Sequence, residues 1–114
     1  MTTPDPDATR RVLQLERDRL IAVLAEGIQA PGQMTYGSQA AAASQVFEQQ
    51  RDLALHDRAA IHLEDVKAAL ARLEAGTYGT CVDCGRPIAV ERLEALPWAG
   101  RCIDCQAASD RQRR

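Results

Sequence analysis

The residues best suited to chemistry in this chain are its four cysteines, which form two Cys-x-x-Cys pairs. The pairs are Cys81 with Cys84 and Cys102 with Cys105, and the 17 residues between them, 85 to 101, match the spacing of four-cysteine zinc sites. Two residues between ligands let the chain turn so that both sulfurs face one ion at about 2.3 Å. We therefore predict one structural zinc ion bound by all four thiolates.

Four protein ligands would fill a tetrahedral zinc ion and leave no position for water or substrate, so we expect no catalytic zinc. The sequence also lacks a nucleophile motif, a phosphate loop and a dinucleotide fingerprint. We predict that the chain is not an enzyme and has no catalytic residues. Arg86, Arg92 and Arg101 lie close to the cysteines in sequence, where they either offset the negative charge of the zinc complex or form ordinary solvated surface.

Other cysteine chemistries remain open. Iron could bind in a rubredoxin-like site, and two adjacent thiol pairs could act as a redox switch that releases zinc on oxidation. Disulfides would require export, and the first residues, MTTPDPDATRR, do not resemble a signal peptide. We therefore expect a cytoplasmic protein, in which reduced cysteines favour metal binding.

A first helix is predicted from Asp5–Pro6, where the carboxylate can cap free N–H groups and proline suits the first turn. The helix is expected to run to about Gln29, since Gly27 and residues 31–32 (Pro-Gly) end it. Its apolar residues recur at helical spacing. They are Leu13, Leu20, Leu24 and Ile28, widened by Val12, Leu15 and Val23.

A second, longer helix is predicted from Ser38 or Ser44 to about Ala75, and Gly76 supplies the left-handed residue that closes it. Its apolar positions are separated by steps of three, four or seven, as in a coiled coil. They are Val46, Leu53, Ala60, Leu63, Val66, Leu70 and Leu73.

Two such helices joined by a short connector should run antiparallel and bury each other's stripes. The predicted fold is mainly α: an antiparallel two-helix coiled-coil hairpin, then a small four-cysteine zinc-finger module and a short C-terminal helix. The hairpin takes residues 1–76 with its tip at about 30–43, and the zinc module with its basic tail takes residues 77–114. Pairing between molecules is the alternative, and a monomer is expected.

The second helix outruns the first, so another element must cover its C-terminal stripe. We expect the zinc module to do so at Leu70 and Leu73. The module's candidate apolar residues are Ile88, Leu93, Leu96 and Trp98. Of the two histidines on this helix, His56 is predicted at the edge of the helix seam and His62 in solvent.

Charge and hydropathy argue against two classes of partner, nucleic acids and membranes. The net charge is −2 and the pI about 5.6, whereas nucleic-acid binders normally carry a basic patch. A small basic tail, Arg111, Arg113 and Arg114, is either a solvated end or a binding site. No apolar run approaches the roughly 18 residues of a membrane span. We expect neither direct DNA binding nor a membrane partner.

Motifs around the cysteines resemble the TraR/DksA zinc-finger family. The resemblance covers residues 70–106 and rests on the lead-in Gly76-Thr-Tyr-Gly79, the central Arg92-Leu-Glu-Ala-Leu-Pro97 and the closing Cys-Ile-Asp-Cys at 102–105. It implies a bacterial transcription regulator that binds RNA polymerase directly, through its secondary channel, without contacting DNA. Members of this family change the stability of open promoter complexes, often together with guanosine tetraphosphate.

The same resemblance implies departures at the functional positions. Counted without gaps from Cys81, the family's tip pattern of two acids and an alanine falls on Ser38, Ala41 and Ala43, so the tip here is predicted to be non-acidic. The basic residues that hold the alarmone fall on Arg58, Asp65 and Gln106. Only Arg58 keeps its charge, and we expect a weak or absent response to guanosine tetraphosphate.

Two further functional hypotheses stay open. The chain could be a zinc-stapled adaptor or a redox-responsive zinc protein that binds another protein partner, since the tip lacks acids. A nucleic-acid-binding finger is the third, and the acidic charge balance argues against it.

Overall fold

The computed structural model describes residues 4–26 and 39–113, with side chains from residue 42 onward in the second range. The helices in these ranges are α1 (Pro6–Glu26), α2 (Gln39–Ala75), α3 (Val90–Ala95) and α4 (Ile103–Gln112). The predicted mainly α architecture is confirmed, with one isolated antiparallel bridge between Thr80 and Pro87. Among the described residues, no helix combines the length and hydropathy that a membrane span needs.

Helix α1 begins where the sequence predicts. The Asp5 carboxylate accepts a hydrogen bond from the Asp7 N–H at 3.2 Å, and the Asp5 carbonyl accepts the first helical bond from Thr9 at 2.9 Å. These contacts satisfy N–H groups that an uncapped helix start would leave free. The described part of α1 ends at Glu26, and the predicted end at Gln29 lies outside the described residues.

Helix α2 is 37 residues long and ends at Ala75, directly before Gly76, as predicted. Gly76 has a φ of +76°, the Gly76 N–H donates to the Leu73 carbonyl at 3.3 Å, and the Thr77 N–H donates to the Arg72 carbonyl at 2.9 Å. This pair of bonds is a Schellman motif, which satisfies the last carbonyls of the helix and turns the chain towards the zinc module.

Helices α1 and α2 run antiparallel. Two contacts show this: Arg10 contacts Glu74 at one end of the pair, and Glu16 contacts His62 further along. Apolar side chains fill the contact between them. The buried residues of this hairpin cluster are Leu13, Leu20, Leu63, Val66 and Ala69, with Leu24, Ala59, Leu70 and Leu73 partly buried against them. Full burial of one such leucine contributes about 2 kcal/mol.

The apolar stripes are narrower than predicted. Val12, Leu15 and Val23 lie in solvent, with Leu15 72% exposed, because one partner helix covers only one strip of α1. On α2, Val46 and Leu53 are also exposed. The predicted stripe residue Ile28 lies outside the described residues.

The zinc module covers the base of the hairpin through fewer residues than predicted. Of the four expected contacts, only Trp98 packs against the hairpin cluster, and Tyr78, which was not predicted, joins it. The other three belong to a second cluster inside the module. That cluster contains Cys81, Ile88, Leu93 and Ala99, with Leu96 partly buried against it.

The expectation that His62 lies in solvent is wrong. Its side chain is 24% exposed, its Nε2 lies 3.1 Å from Glu16 Oε1, and its ring meets the Trp98 ring edge to face. The segment that carries Trp98 is distant in sequence, so helix periodicity alone could not reveal the contact. His56 is half-buried, consistent with a place at the edge of the seam.

Candidate metal centre

The four cysteine sulfurs converge on one point of the module. All four Sγ atoms lie within 4.8 Å of one another, and the Cys84 and Cys102 sulfurs are 3.8 Å apart. A tetrahedral zinc ion with Zn–S bonds of about 2.3 Å separates its sulfur ligands by about 3.8 Å. The spacing and the all-thiol donor set therefore fit one zinc ion.

A tight turn positions the first pair. The Cys81 N–H donates to the Arg86 carbonyl at 2.8 Å, and the Gly85 N–H donates to the Cys81 carbonyl at 3.0 Å. Gly85 has a φ of +75°, a conformation that a residue with Cβ adopts only at a cost. The glycine after Cys84 thus lets the chain fold back so that the two sulfurs face the same side.

A helix start positions the second pair. Cys102 is the N-cap of α4, and its sulfur accepts a hydrogen bond from the Cys105 N–H at 3.5 Å. The start of α4 thus directs a backbone N–H group at this sulfur. The Val82 N–H donates to the Gly100 carbonyl at 2.9 Å, which ties the first turn to the approach to Cys102.

The thiols have unequal proton affinities. Backbone donors, those of Cys84 and Cys102 first, lower the pKa of Cys81 to about 6. Hydrogen bonds to the neighbouring sulfurs, with Cys102 the first, raise the pKa of Cys105. The directions are opposite because backbone N–H groups stabilise the Cys81 thiolate, whereas neighbouring sulfurs favour the protonated form of Cys105. A divalent cation would replace the protons at this site.

Two of the three nearby arginines make specific hydrogen bonds. Arg101 Nε donates to Asp83 Oδ2 at 2.7 Å, and this carboxylate raises the pKa of Arg101. Arg92 Nε donates to the Arg101 carbonyl at 2.9 Å. Arg86 is exposed. Arg92 and Arg101 thus stabilise the loops around the cysteines, a role that was not predicted.

The four sulfurs differ in their access to solvent. Cys81 is 2% exposed and belongs to the module's apolar cluster, whereas Cys84 is exposed. Cys102 and Cys105 are intermediate. The centre is therefore built into the module's core on one side and open at the surface on the other.

The remaining predicted site residues lie elsewhere on the chain. Ser38 lies outside the described residues, Ala41 lies in the first turn of α2, and Ala43 is exposed on the same helix. Arg58 and Asp65 are exposed further along α2. Gln106 lies on α4, where its amide donates to Asp110 Oδ1 at 3.0 Å.

Comparison with known proteins supports the assignment of the module. A family profile described as "Prokaryotic dksA/traR C4-type zinc finger" matches residues 76–111. Together with the clustered sulfurs, this match establishes one structural Zn²⁺ as the cofactor.

Curated relatives match part of the chain. General stress protein 16O of Bacillus subtilis is 47% identical over 45 residues, which cover 40% of this chain and 28% of that protein. The RNA polymerase-binding transcription factor DksA of Haemophilus influenzae is 35% identical over 68 residues, which cover 60% of this chain and 47% of that protein. The chain thus spans less than half the length of these two relatives.

One solved structure resembles nearly the whole chain. The structure of transcription factor DksA2 from Pseudomonas aeruginosa superposes with a TM-score of 0.73 at 28% identity. The match covers 95% of this chain and 84% of that one. The likeness therefore includes the helical hairpin as well as the zinc module.

Proposed function

The chain belongs to the TraR/DksA C4-type zinc-finger family, and on that premise we propose that it is a non-enzymatic regulator that binds bacterial RNA polymerase through the secondary channel. The observation that carries this proposal is the likeness to a transcription factor over 95% of the chain, hairpin included. A relative is named as an RNA polymerase-binding factor, and such a partner would place this protein in the bacterial cytoplasm.

The shape of the molecule suits insertion into a narrow channel. Its extents are 62 × 32 × 20 Å, and α2 alone, with 37 residues, would be about 55 Å long. The hairpin base is closed by the zinc module, so only the far end is free to enter. The long dimension therefore belongs to the hairpin, as this mode of binding requires.

Direct DNA binding is not part of the proposal. The net charge of −2 gives little attraction for a phosphate backbone. Several arginines are also engaged locally: Arg10 with Asp7 and Glu74, and Arg19 with Glu16. Sequence choice at promoters would then belong to the polymerase rather than to this chain.

We further propose that the hairpin tip acts without carboxylates. The tip positions implied by the family pattern are Ser38, Ala41 and Ala43, none of which can place a negative charge near a catalytic metal ion. An effect of this chain on transcription would then come from occupying the channel or from contacts made by small side chains.

A weak or absent response to guanosine tetraphosphate is also proposed. Arg58 offers one exposed positive charge, but Asp65 on the same helix is exposed and negative. At Gln106 the amide group already donates to the Asp110 carboxylate. A strongly anionic ligand would meet two carboxylates and a single guanidinium at these positions.

Binding of the zinc-loaded protein to core RNA polymerase tests the proposal. We expect retention that a known secondary-channel binder displaces in proportion to its concentration. A variant without the zinc ligand Cys84 should bind less, because the hairpin base would lose its support. If neither core enzyme nor holoenzyme retains the folded, zinc-loaded chain, the proposal fails.

One observation favours a second candidate, a redox-responsive zinc protein that acts on another protein partner. The Cys84 sulfur is exposed, and an accessible thiolate is the form that peroxide attacks. Mild peroxide followed by a zinc-release assay tests this candidate, and zinc content that stays constant would count against it.

A further inference from the structure

The five residues that precede the zinc ligand Cys102, Pro97 to Arg101, form a segment whose carbonyl groups are almost all hydrogen-bonded. We call residues 97–101 the pre-ligand segment. Its donors come from four different parts of the chain. Tyr78 Oη donates to the Pro97 carbonyl at 2.8 Å, Arg72 Nη2 to that of Trp98 at 3.3 Å, the Val82 N–H to that of Gly100 at 2.9 Å, and Arg92 Nε to that of Arg101 at 2.9 Å.

Arg72 connects this segment to the hairpin. It lies in the last turn of α2, is half-buried, and its pKa is lowered first by burial. A Cβ added to Gly100 would lie only 3.1 to 3.2 Å from the guanidinium atoms. The absence of a side chain at Gly100 therefore lets Arg72 lie against the segment and reach the Trp98 carbonyl.

Trp98 connects the segment to both helices. Its ring packs against the hairpin cluster and meets the His62 ring with centroids 4.3 Å apart and planes at 82°. His62 Nε2 in turn lies 3.1 Å from Glu16 Oε1 on α1. One continuous set of contacts thus runs from the zinc ligand Cys102 through Trp98 to α2 and α1.

We propose that this junction, formed by Arg72, Trp98, His62 and Gly100, couples zinc binding to the direction of the hairpin. When Cys102 is held in the metal centre, the pre-ligand segment is fixed at its C-terminal end and Trp98 stays seated between module and hairpin. When Cys102 is released, the segment loses its fixed C-terminal end, Trp98 leaves the hairpin cluster, its carbonyl separates from Arg72, and the hairpin direction is no longer set. The inference is independent of the polymerase proposal.

Coupling of this kind is reciprocal: if bound zinc favours the seated junction, a weakened junction must weaken zinc binding by the same factor. We expect Arg72→Met to raise the zinc dissociation constant about fivefold or more, measured by competition with a chromophoric chelator. Arg51→Met is the matched control, because Arg51 is an exposed arginine of the same helix far from the cysteines, and its zinc affinity should equal that of the parent.

Trp98 is the only tryptophan, so its emission reports the junction directly. Removing zinc from the parent should shift the emission to longer wavelength and abolish the nuclear Overhauser contact between the His62 and Trp98 rings. Zinc-loaded Arg72→Met should give the same two changes in part, with one zinc still bound. Gly100→Ala, whose methyl group displaces the Arg72 guanidinium, is the second variant should Arg72→Met fold poorly.

Two results would overturn the coupling. The first is a zinc affinity unchanged in both Arg72→Met and Gly100→Ala. The second is an emission and a His62 ring contact that persist in the parent after zinc is removed. Neither measurement uses the polymerase, so a failed polymerase-binding experiment leaves this inference intact.

Discussion

Cys81 and Cys84 stand three residues apart yet lie in different environments. The Cys81 sulfur belongs to the module's apolar cluster, while that of Cys84 faces solvent. The first turn therefore contributes one ligand to the module's core and one to its surface. Because the module has so small an apolar cluster, the metal has to supply much of its stability.

Replacement of one ligand should therefore unfold the module. We expect Cys84→Ser to lose the zinc ion. The module should then lose most of its ordered structure, because metal binding contributes about 10 kcal/mol to the folding of such modules. Zinc content per chain and helicity followed by circular dichroism check this outcome. Val82→Ser is the control, since Val82 is an exposed neighbour in the same turn and not a ligand. A Cys84→Ser protein that keeps one zinc and its helicity would contradict the assignment.

Glu16 gives a pH-dependent contribution to stability. A hydrogen bond from Arg19 lowers its pKa below the ordinary 4.5, and burial opposes that shift. A carboxyl group with a lower pKa in the folded state stabilises the fold above its unfolded pKa, and this contribution is lost as pH falls through the folded pKa.

We expect Glu16→Gln to lower the free energy of unfolding by about 0.5 kcal/mol at neutral pH, since the contacts are partly solvated. The difference from the parent should vanish below the lowered pKa of Glu16. Urea titrations of both proteins across that range measure it, and zinc loss in acid affects both alike. Glu64→Gln is the control, because Glu64 forms only a 3.8 Å contact with Lys67 in solvent. A difference that grows in acid would show the sign to be wrong.

At the scale of the elements, the end of α2 influences the path of the chain into the zinc module more than the length of α2 does. The Schellman motif at Gly76 sets the direction in which the chain leaves the helix for the lead-in to Cys81. Added side-chain atoms at Gly76 would meet no neighbour within 4 Å, so any cost of substitution arises from the backbone.

Gly76→Ala should therefore destabilise the protein by about 1 to 2 kcal/mol, the cost of a left-handed conformation for a residue with Cβ. Thermal unfolding of the zinc-loaded protein measures the change. Gly76→Asn should cost less, because asparagine tolerates this conformation better. Equal stabilities of Gly76→Ala and the parent would mean that the helix end adjusts without strain.

The start of α1 and the end of α2 could be predicted from local sequence signals, whereas the packing of side chains could not. Pro6 after Asp5 and the glycine after Ala75 act within one turn of the chain, so the sequence predicts both limits. The exposure of Leu15 depends on how wide a strip the partner helix covers, and periodicity carries no such information. The contact of His62 with Trp98 joins residues far apart in sequence, so no local pattern predicts it.

At the scale of the whole molecule, the metal centre was the most predictable part, because ligand spacing alone restricts four cysteines to one ion. The hairpin and the module that follows it were also predictable from helix patterns. The division at residue 76 and the role of the tip stay predictions. The way in which Trp98 and Tyr78 seat the module on the hairpin could not be foreseen.

A substitution at the tip separates function from stability. Ala43→Thr should leave zinc content intact and cost at most about 0.7 kcal/mol through helix propensity, while changing any effect of the protein on transcription in vitro. Ala68→Thr makes the same change at an exposed position nearer the base of α2. If both variants regulate transcription alike, the tip has no distinct role.

The contact of Trp98 with His62 joins the zinc module to a long helix, so a change of angle at this contact moves the distant end of α2. From His62, which Trp98 contacts, α2 extends about 35 Å to Gln39, so a tilt of about 5° at this contact would displace the Gln39 end by about 3 Å. A small change in side-chain packing beside Cys102 would therefore shift the Gln39 end of α2 by a distance comparable to the length of one residue. A substitution at Gly100 that displaces Arg72 would then also move the Gln39 end of α2 relative to the zinc module.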